Sequence, residues 1–93
     1  MNEDEYDMKA IDIQEEIYNE FKKASSKFSS FKSEHEGYAI LLEEVDELWD
    51  AVKLNQKNSK RHNLCRKECI QVAAMALRFI YDCVPFEQDG GAP

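Results

Sequence analysis

Ser33-Glu34-His35-Glu36-Gly37-Tyr38-Ala39-Ile40-Leu41-Leu42-Glu43-Glu44-Val45-Asp46-Glu47-Leu48-Trp49-Asp50-Ala51-Val52 is the stretch on which the fold turns. It opens with the S-x-x-E form of a capping box, in which Ser33 offers its hydroxyl oxygen to the Glu36 amide and Glu36 reaches back. Behind that signal, Tyr38, Leu41, Leu42, Val45, Leu48, Trp49 and Val52 recur at three and four residues as an apolar stripe. A helix therefore starts after Ser33. Its edge and back carry Glu43, Glu44, Asp46, Glu47 and Asp50, five carboxylates within eight residues, with no basic residue among them. Glu43, Glu47 and Asp50 share one stripe with Glu44 one step around it, so like charges crowd at i,i+3 and i,i+4. That arrangement asks for a compensating cation.

Outward from this helix, a second helical pattern precedes it over about residues 4–27. Met8, Ile11, Ile17, Tyr18, Phe21, Ala24 and Phe28 recur on one face, and Glu15, Glu16, Asn19, Lys22 and Lys23 on the other. Ser25, Ser26, Ser29 and Ser30 dilute helix propensity, and residues 29–33 read as a loop with Phe28 and Phe31 as core anchors. On the other side, residues 55–63 are polar and basic and serve as a connection. A third helix is expected over about residues 64–83, with Cys65, Cys69, Val72, Ala73, Ala76, Phe79, Ile80 and Cys83 on one broad face. Pro85 ends it, residues 87–93 read as a frayed tail, and residues 1–86 form a single helical domain. The fold class is all-α: three main helices, the second and third an antiparallel pair, two such pairs making a four-helix bundle by oligomerisation.

Composition bounds the function. A chain of 93 residues with 43% hydrophobic and 33% charged residues is a folded globular domain with a marginal core, which oligomerisation would relieve. A net charge of −7 with scattered Lys and Arg excludes a nucleic-acid polymer as a bulk partner. Cys65, Cys69 and Cys83 are an odd number without paired short spacing, and read as reduced core thiols. The acidic start Met1-Asn2-Glu3-Asp4-Glu5 is no secretory leader, and no apolar run approaches the length of a membrane span. A cytoplasmic protein without a membrane partner is expected.

The carboxylates suggest a site for a hard divalent cation, which takes oxygen ligands from a few carboxylates, waters and substrate phosphates. Glu44 and Glu47 leave adjacent turns in the same direction, Glu43 and Glu47 do so at four residues, and Glu68 on the third helix can face them across an antiparallel hairpin. The alternative is an acidic face that is merely solvated.

Glu43-Glu44-Val45-Asp46-Glu47, followed after 20 intervening residues by Glu68-Cys69-Ile70-Gln71, resembles the E-E-x-x-E and E-x-x-D pair of the MazG-like all-α nucleoside triphosphate pyrophosphohydrolases. The stretches 35–49 and 71–79 look like those of a small bacterial and phage branch, and the likeness covers roughly residues 33–83. The first helix fits in length and pattern but carries no motif. The resemblance implies a dimer or dimer of dimers that hydrolyses a (d)NTP between the α and β phosphates to the monophosphate and pyrophosphate, with Mg²⁺ (or Mn²⁺) as cofactor, in cleaning the nucleotide pool. It further implies Glu44, Glu47, Glu68 and the residue at Gln71 as the metal set, with Glu43 or Glu47 as the base. Gln71 is the departure. A neutral amide stands where the family usually has an aspartate, which weakens a hard-cation site.

A triphosphate also needs cations and a base platform. Arg78, Lys53 and Lys67 are the cationic candidates, and Trp49 and His35 the candidates for the base, with Tyr38 a further ring. Each has a plainer reading: Arg78 in a salt bridge to an acid of a neighbouring helix, Trp49 and Tyr38 in the core, His35 at the helix entry. Asp82 lies too far along the helix from Glu68 to share its metal within one chain. It reads as a surface acid or as a donation to another subunit. Two further readings of the whole chain remain open: a catalytically weakened nucleotide- or metal-binding relative, and a helical dimerisation module without enzymatic activity.

Overall fold

The computed structural model describes residues 3–85, with side chains from residue 7 onward. Three helices hold most of them: α1 over Glu3–Lys27, α2 over Glu34–Val52 and α3 over Arg61–Cys83, with no strand among the described residues. The expected tail, residues 87–93, lies outside the described residues. No described helix is long and apolar enough to cross a membrane.

Helix α2 starts where the capping box puts it. Ser33 is the N-cap in extended backbone, and its Oγ accepts from the Glu36 N–H at 3.0 Å. Glu36 reaches one residue further back than in the simple motif, its Oε1 accepting from the Lys32 N–H at 2.8 Å. Helix α3 begins three residues earlier than expected, at Arg61. The reason lies in the connection: Asn55 Oδ1 accepts from the Lys57 N–H at 2.8 Å and Asn58 Oδ1 from the Lys60 N–H at 2.9 Å. Two such side-chain turns use up few residues, so the chain re-enters helix sooner.

The α2–α3 pair is antiparallel. The Cys83 thiol donates to the Ser33 carbonyl at 3.6 Å, Gly37 lies against Phe79, Glu44 and Glu47 meet Glu68, and Arg61 Nε donates to the Val52 carbonyl at 3.2 Å. Contacts thus run from the start of α2 and end of α3 to the reverse. Gly37 permits the closest of them: a Cβ there would stand 2.7 Å from Cδ2 of Phe79 and 3.0 Å from Cδ2 of Phe31. Helix α1 packs on α3 alone, through a two-oxygen pairing of Glu16 with the Arg66 guanidinium and an edge-to-face contact of Phe21 with Tyr81 at 5.6 Å. Helix α3 is therefore the middle layer. Ala24, Phe31, Ala74 and Met75 form the buried core, with Phe21, Ile40, Leu41, Phe79 and Cys83 around them.

This sandwich revises several expectations about faces. The apolar stripe of α2 divides: Leu41 and Leu48 are half-buried, whereas Tyr38, Leu42, Val45, Trp49 and Val52 stay exposed, Tyr38 at 61% and Trp49 at 56%. The core reading of Trp49 and Tyr38 therefore fails within one chain. Phe28 is 60% exposed and is no core anchor, whereas Phe31 is buried. Met8, Ile11 and Tyr18 on α1 are likewise exposed, and on α3 Cys69 and Ile80 face outward. The buried positions of α3 are instead Ala74, Met75 and Arg78, because a central helix must present small or slender side chains to neighbours on two sides.

Arg78 and Asp82 are the largest corrections. Arg78 is 3% exposed; its Nη2 donates to the Ser29 carbonyl at 2.9 Å and lies 3.9 Å from Asp82 Oδ2, and its guanidinium stacks 4.4 Å above the Phe31 ring. Its acidic partner is on its own helix rather than a neighbouring one. Asp82 is no surface acid: its side chain is nearly buried and accepts the Phe31 N–H at 2.9 Å. The pair fastens the 28–33 loop to α3.

Candidate metal centre

Three of the expected ligands come together. Carboxylate oxygens of Glu44, Glu47 and Glu68 lie within 4.8 Å of one another across the α2–α3 interface. The one-turn spacing of Glu44 and Glu47 aims both at α3, and the antiparallel pairing brings Glu68 opposite. Glu44 and Glu68 are half-buried, and Glu47 is exposed, so the group opens to solvent on one side.

The electrostatics are those of a site short of positive charge. Partial burial pushes the Glu44 carboxyl up to about 7, helped by repulsion from and hydrogen bonding with Glu47 and by the charges of Glu68 and Glu43. Burial likewise raises Glu68, with Glu47 adding to the rise and Lys67 opposing it. The neighbours that act on Glu44 are all acids. Three clustered oxygen donors with little local cationic charge fit a hard divalent ion, which would replace the missing charge.

The other sequence candidates fall around this group at different distances. Glu43 is exposed and borders, with Glu44 and Gln71, a cavity of about 510 Å³ between α1 and the α2–α3 pair. Gln71 is half-buried one turn after Glu68 and is thus on the cavity side of the carboxylates. Glu47 and Glu68 border a shallower groove of about 280 Å³ on the other side, with Asp50, Leu54 and Leu64. Lys67 is adjacent to Glu68 and exposed. Lys53 pairs with Asp50 at 3.4 Å and lies 5.6 Å above the Trp49 ring, on the outer face of α2. His35 is nine residues before Glu44, about 13 Å along the helix, in a depression with Ser33, Asp82 and Cys83. The structure does not bring His35 to the carboxylates. Arg78 borders the cavity of about 510 Å³ and a further one of about 660 Å³ shared with Phe28 and Asp82, but its Nη2 is committed to the loop carbonyl.

Sequence reasoning missed the contribution of α1. Glu20, Lys23 and Lys27 line the same cavity as Glu44. Their i,i+3 and i,i+4 spacing resembles any solvated helical face, so no sequence signal set them apart. No family model, no curated protein and no solved structure matches this chain.

Proposed function

We propose that the chain is a Mg²⁺-dependent nucleoside triphosphate pyrophosphohydrolase of the MazG-like kind, which cleaves a (d)NTP between the α and β phosphates to the monophosphate and pyrophosphate. The observation that carries this is the convergence of Glu44, Glu47 and Glu68 from two helices, with Glu44 held near neutrality in its proton affinity. Carboxylates gathered from two helices, two of them half-buried, favour a cation site over a merely solvated face. Three free cysteines fit a reducing, cytoplasmic setting.

In this reading Glu44, Glu47 and Glu68 hold the ion, and Gln71 lends a neutral oxygen from the cavity side. When bound, the ion supplies charge neutralisation on the phosphates and lowers the pKa of a coordinated water. Glu43, exposed beside the cluster, or Glu47, its exposed member, accepts the proton of the attacking water. Lys67 offers a cation to the departing pyrophosphate. The working unit is a homo-oligomer, a dimer or a dimer of dimers, supported by the exposed stripe Tyr38, Leu42, Val45, Trp49 and Val52, whose spacing of four, three, four and three suits a helix-to-helix seam.

Product analysis tests the reading. With Mg²⁺, at least one member of a panel of ribo- and deoxyribonucleoside triphosphates should yield pyrophosphate, and Glu47→Gln should abolish the yield. Release of orthophosphate alone would refute α/β cleavage. A second reading rests on Gln71: with the amide in place of an acid, the chain binds metal and nucleotide with little turnover. Gln71→Asp should then raise metal affinity and turnover together.

A further inference from the structure

We infer that Cys65 and Cys69, one turn apart on α3, form a two-coordinate site for a soft, thiophilic ion of the Cu(I) kind. The site lies outside the carboxylate cluster and stands independently of the hydrolase reading.

The sequence offers two thiols at i,i+4, and the structure keeps them where an ion can reach them. Both are free cysteines within α3, Cys65 half-buried and Cys69 exposed, so Cys69 is no core thiol. Side chains four residues apart on a helix lean the same way, with Cβ atoms about 5–6 Å apart. A disulfide needs about 3.5–4.5 Å between them, so the helical turn resists that oxidation. A bridging ion fits better. Two metal–thiolate bonds of about 2.3 Å in line span roughly 4.6 Å between the sulfurs, which rotation about each Cα–Cβ bond can set. The helix fixes both donors in advance, so little order has to be gained on binding.

Softness sorts the two kinds of donor on this turn. Glu68 faces Glu44 and Glu47, whereas Cys65 and Cys69 both lie to one side of it, about 60° and about 100° around the helix. Carboxylate oxygens take a hard divalent ion and sulfurs a soft one, so neither site needs the other's ligands. Binding exchanges each S–H bond for a sulfur–metal bond: one Cu(I) displaces two protons to solvent and leaves a bis-thiolate with a single net negative charge. Arg61, Arg66 and Lys67 lie on the first two turns of α3, with no acid before Glu68, and offset that charge. Cys83 is set apart. Its thiol donates to the Ser33 carbonyl at 3.6 Å, and burial together with the charges of Asp82, Glu34 and Glu36 pushes its pKa up. It also follows Cys69 by about 21 Å along the helix, too far to share an ion within one chain.

Anaerobic titration of the reduced full chain with Cu(I), in competition with a chromogenic Cu(I) chelator, tests this. One Cu(I) per chain should bind, with a thiolate-to-copper charge-transfer band in the near ultraviolet, and millimolar Mg²⁺ should not displace it. Cys65→Ser and Cys69→Ser should each weaken binding about a hundredfold, with helix content unchanged by circular dichroism. Cys83→Ser should bind as the wild type does. So should the Glu44→Gln, Glu68→Gln double variant, which separates this site from the carboxylate centre: either can fail while the other stands. No binding against the chelator, one ion per two chains, undiminished affinity in Cys65→Ser or Cys69→Ser, or loss of binding in Cys83→Ser or in the glutamate double variant would overturn the site.

Discussion

Glu44 sets the behaviour of the centre at the scale of single residues. Its carboxyl is raised from 4.5 to about 7 in the folded chain, so between these values the folded state binds a proton that the unfolded state has lost. Stability of the metal-free protein therefore falls as pH rises through that window, and burial of Glu68 acts in the same direction. For a fully buried group the displacement would correspond to about 3 kcal/mol, and for this half-exposed one we expect a loss of about 1–2 kcal/mol. Urea unfolding at pH 5 and pH 8 without divalent metal measures it. Glu44→Gln should flatten the difference, and a wild-type chain that is equally stable at both pH values would contradict the raised carboxyl. Binding of a divalent ion must displace the proton, so affinity should weaken below neutrality. Gln71 contributes no such charge, so an ion held here would draw its charge balance from Glu44, Glu47 and Glu68.

At the scale of elements, the close approach of α2 to α3 brings the carboxylates together. Gly37→Ala tests it. Alanine favours a helix by about 1 kcal/mol, but its Cβ would collide with the Phe79 and Phe31 rings, and overpacking of this kind costs about 1–3 kcal/mol. We expect net destabilisation of about 1 kcal/mol by thermal unfolding; a stabilised variant would mean that the rings swing clear. The start of α2 was legible because Ser33 and Glu36 carry a local hydrogen-bonding instruction that needs no tertiary context. The convergence of Glu44, Glu47 and Glu68 was legible too, since a helix register and a short connection fix it. Which apolar face is buried was not. Helix α2 is apolar around more than one side, so Leu41 and Leu48 cannot be told from Trp49 and Val45 by period. Arg78 and Asp82, spaced like an exposed i,i+4 pair, are buried only because the 28–33 loop folds over them. The apolar neighbours of Arg78 were the available hint.

The whole molecule is open. Its radius of gyration is 16.0 Å, against about 12 Å for a compact domain of this length, and among the described residues no large side chain is fully buried. Helix α1 stands on α3 alone, and the outer stripe of α2 is apolar and uncovered. Self-association would cover that stripe and supply the missing core. The stripe is expected to mediate self-association in wild type by light scattering, and Val45→Glu at its middle should abolish it while helix content persists. A wild-type chain that is monomeric at micromolar concentration would remove the stripe from the account.

Whether Glu44, Glu47 and Glu68 hold one divalent ion can be read from electron paramagnetic resonance of Mn²⁺ added at pH 8. One Mn²⁺ per chain is expected, displaced by Mg²⁺ and lost in the Glu44→Gln, Glu68→Gln double variant with its helices intact. No bound Mn²⁺ in the wild type, or the same binding in the double variant, would contradict it.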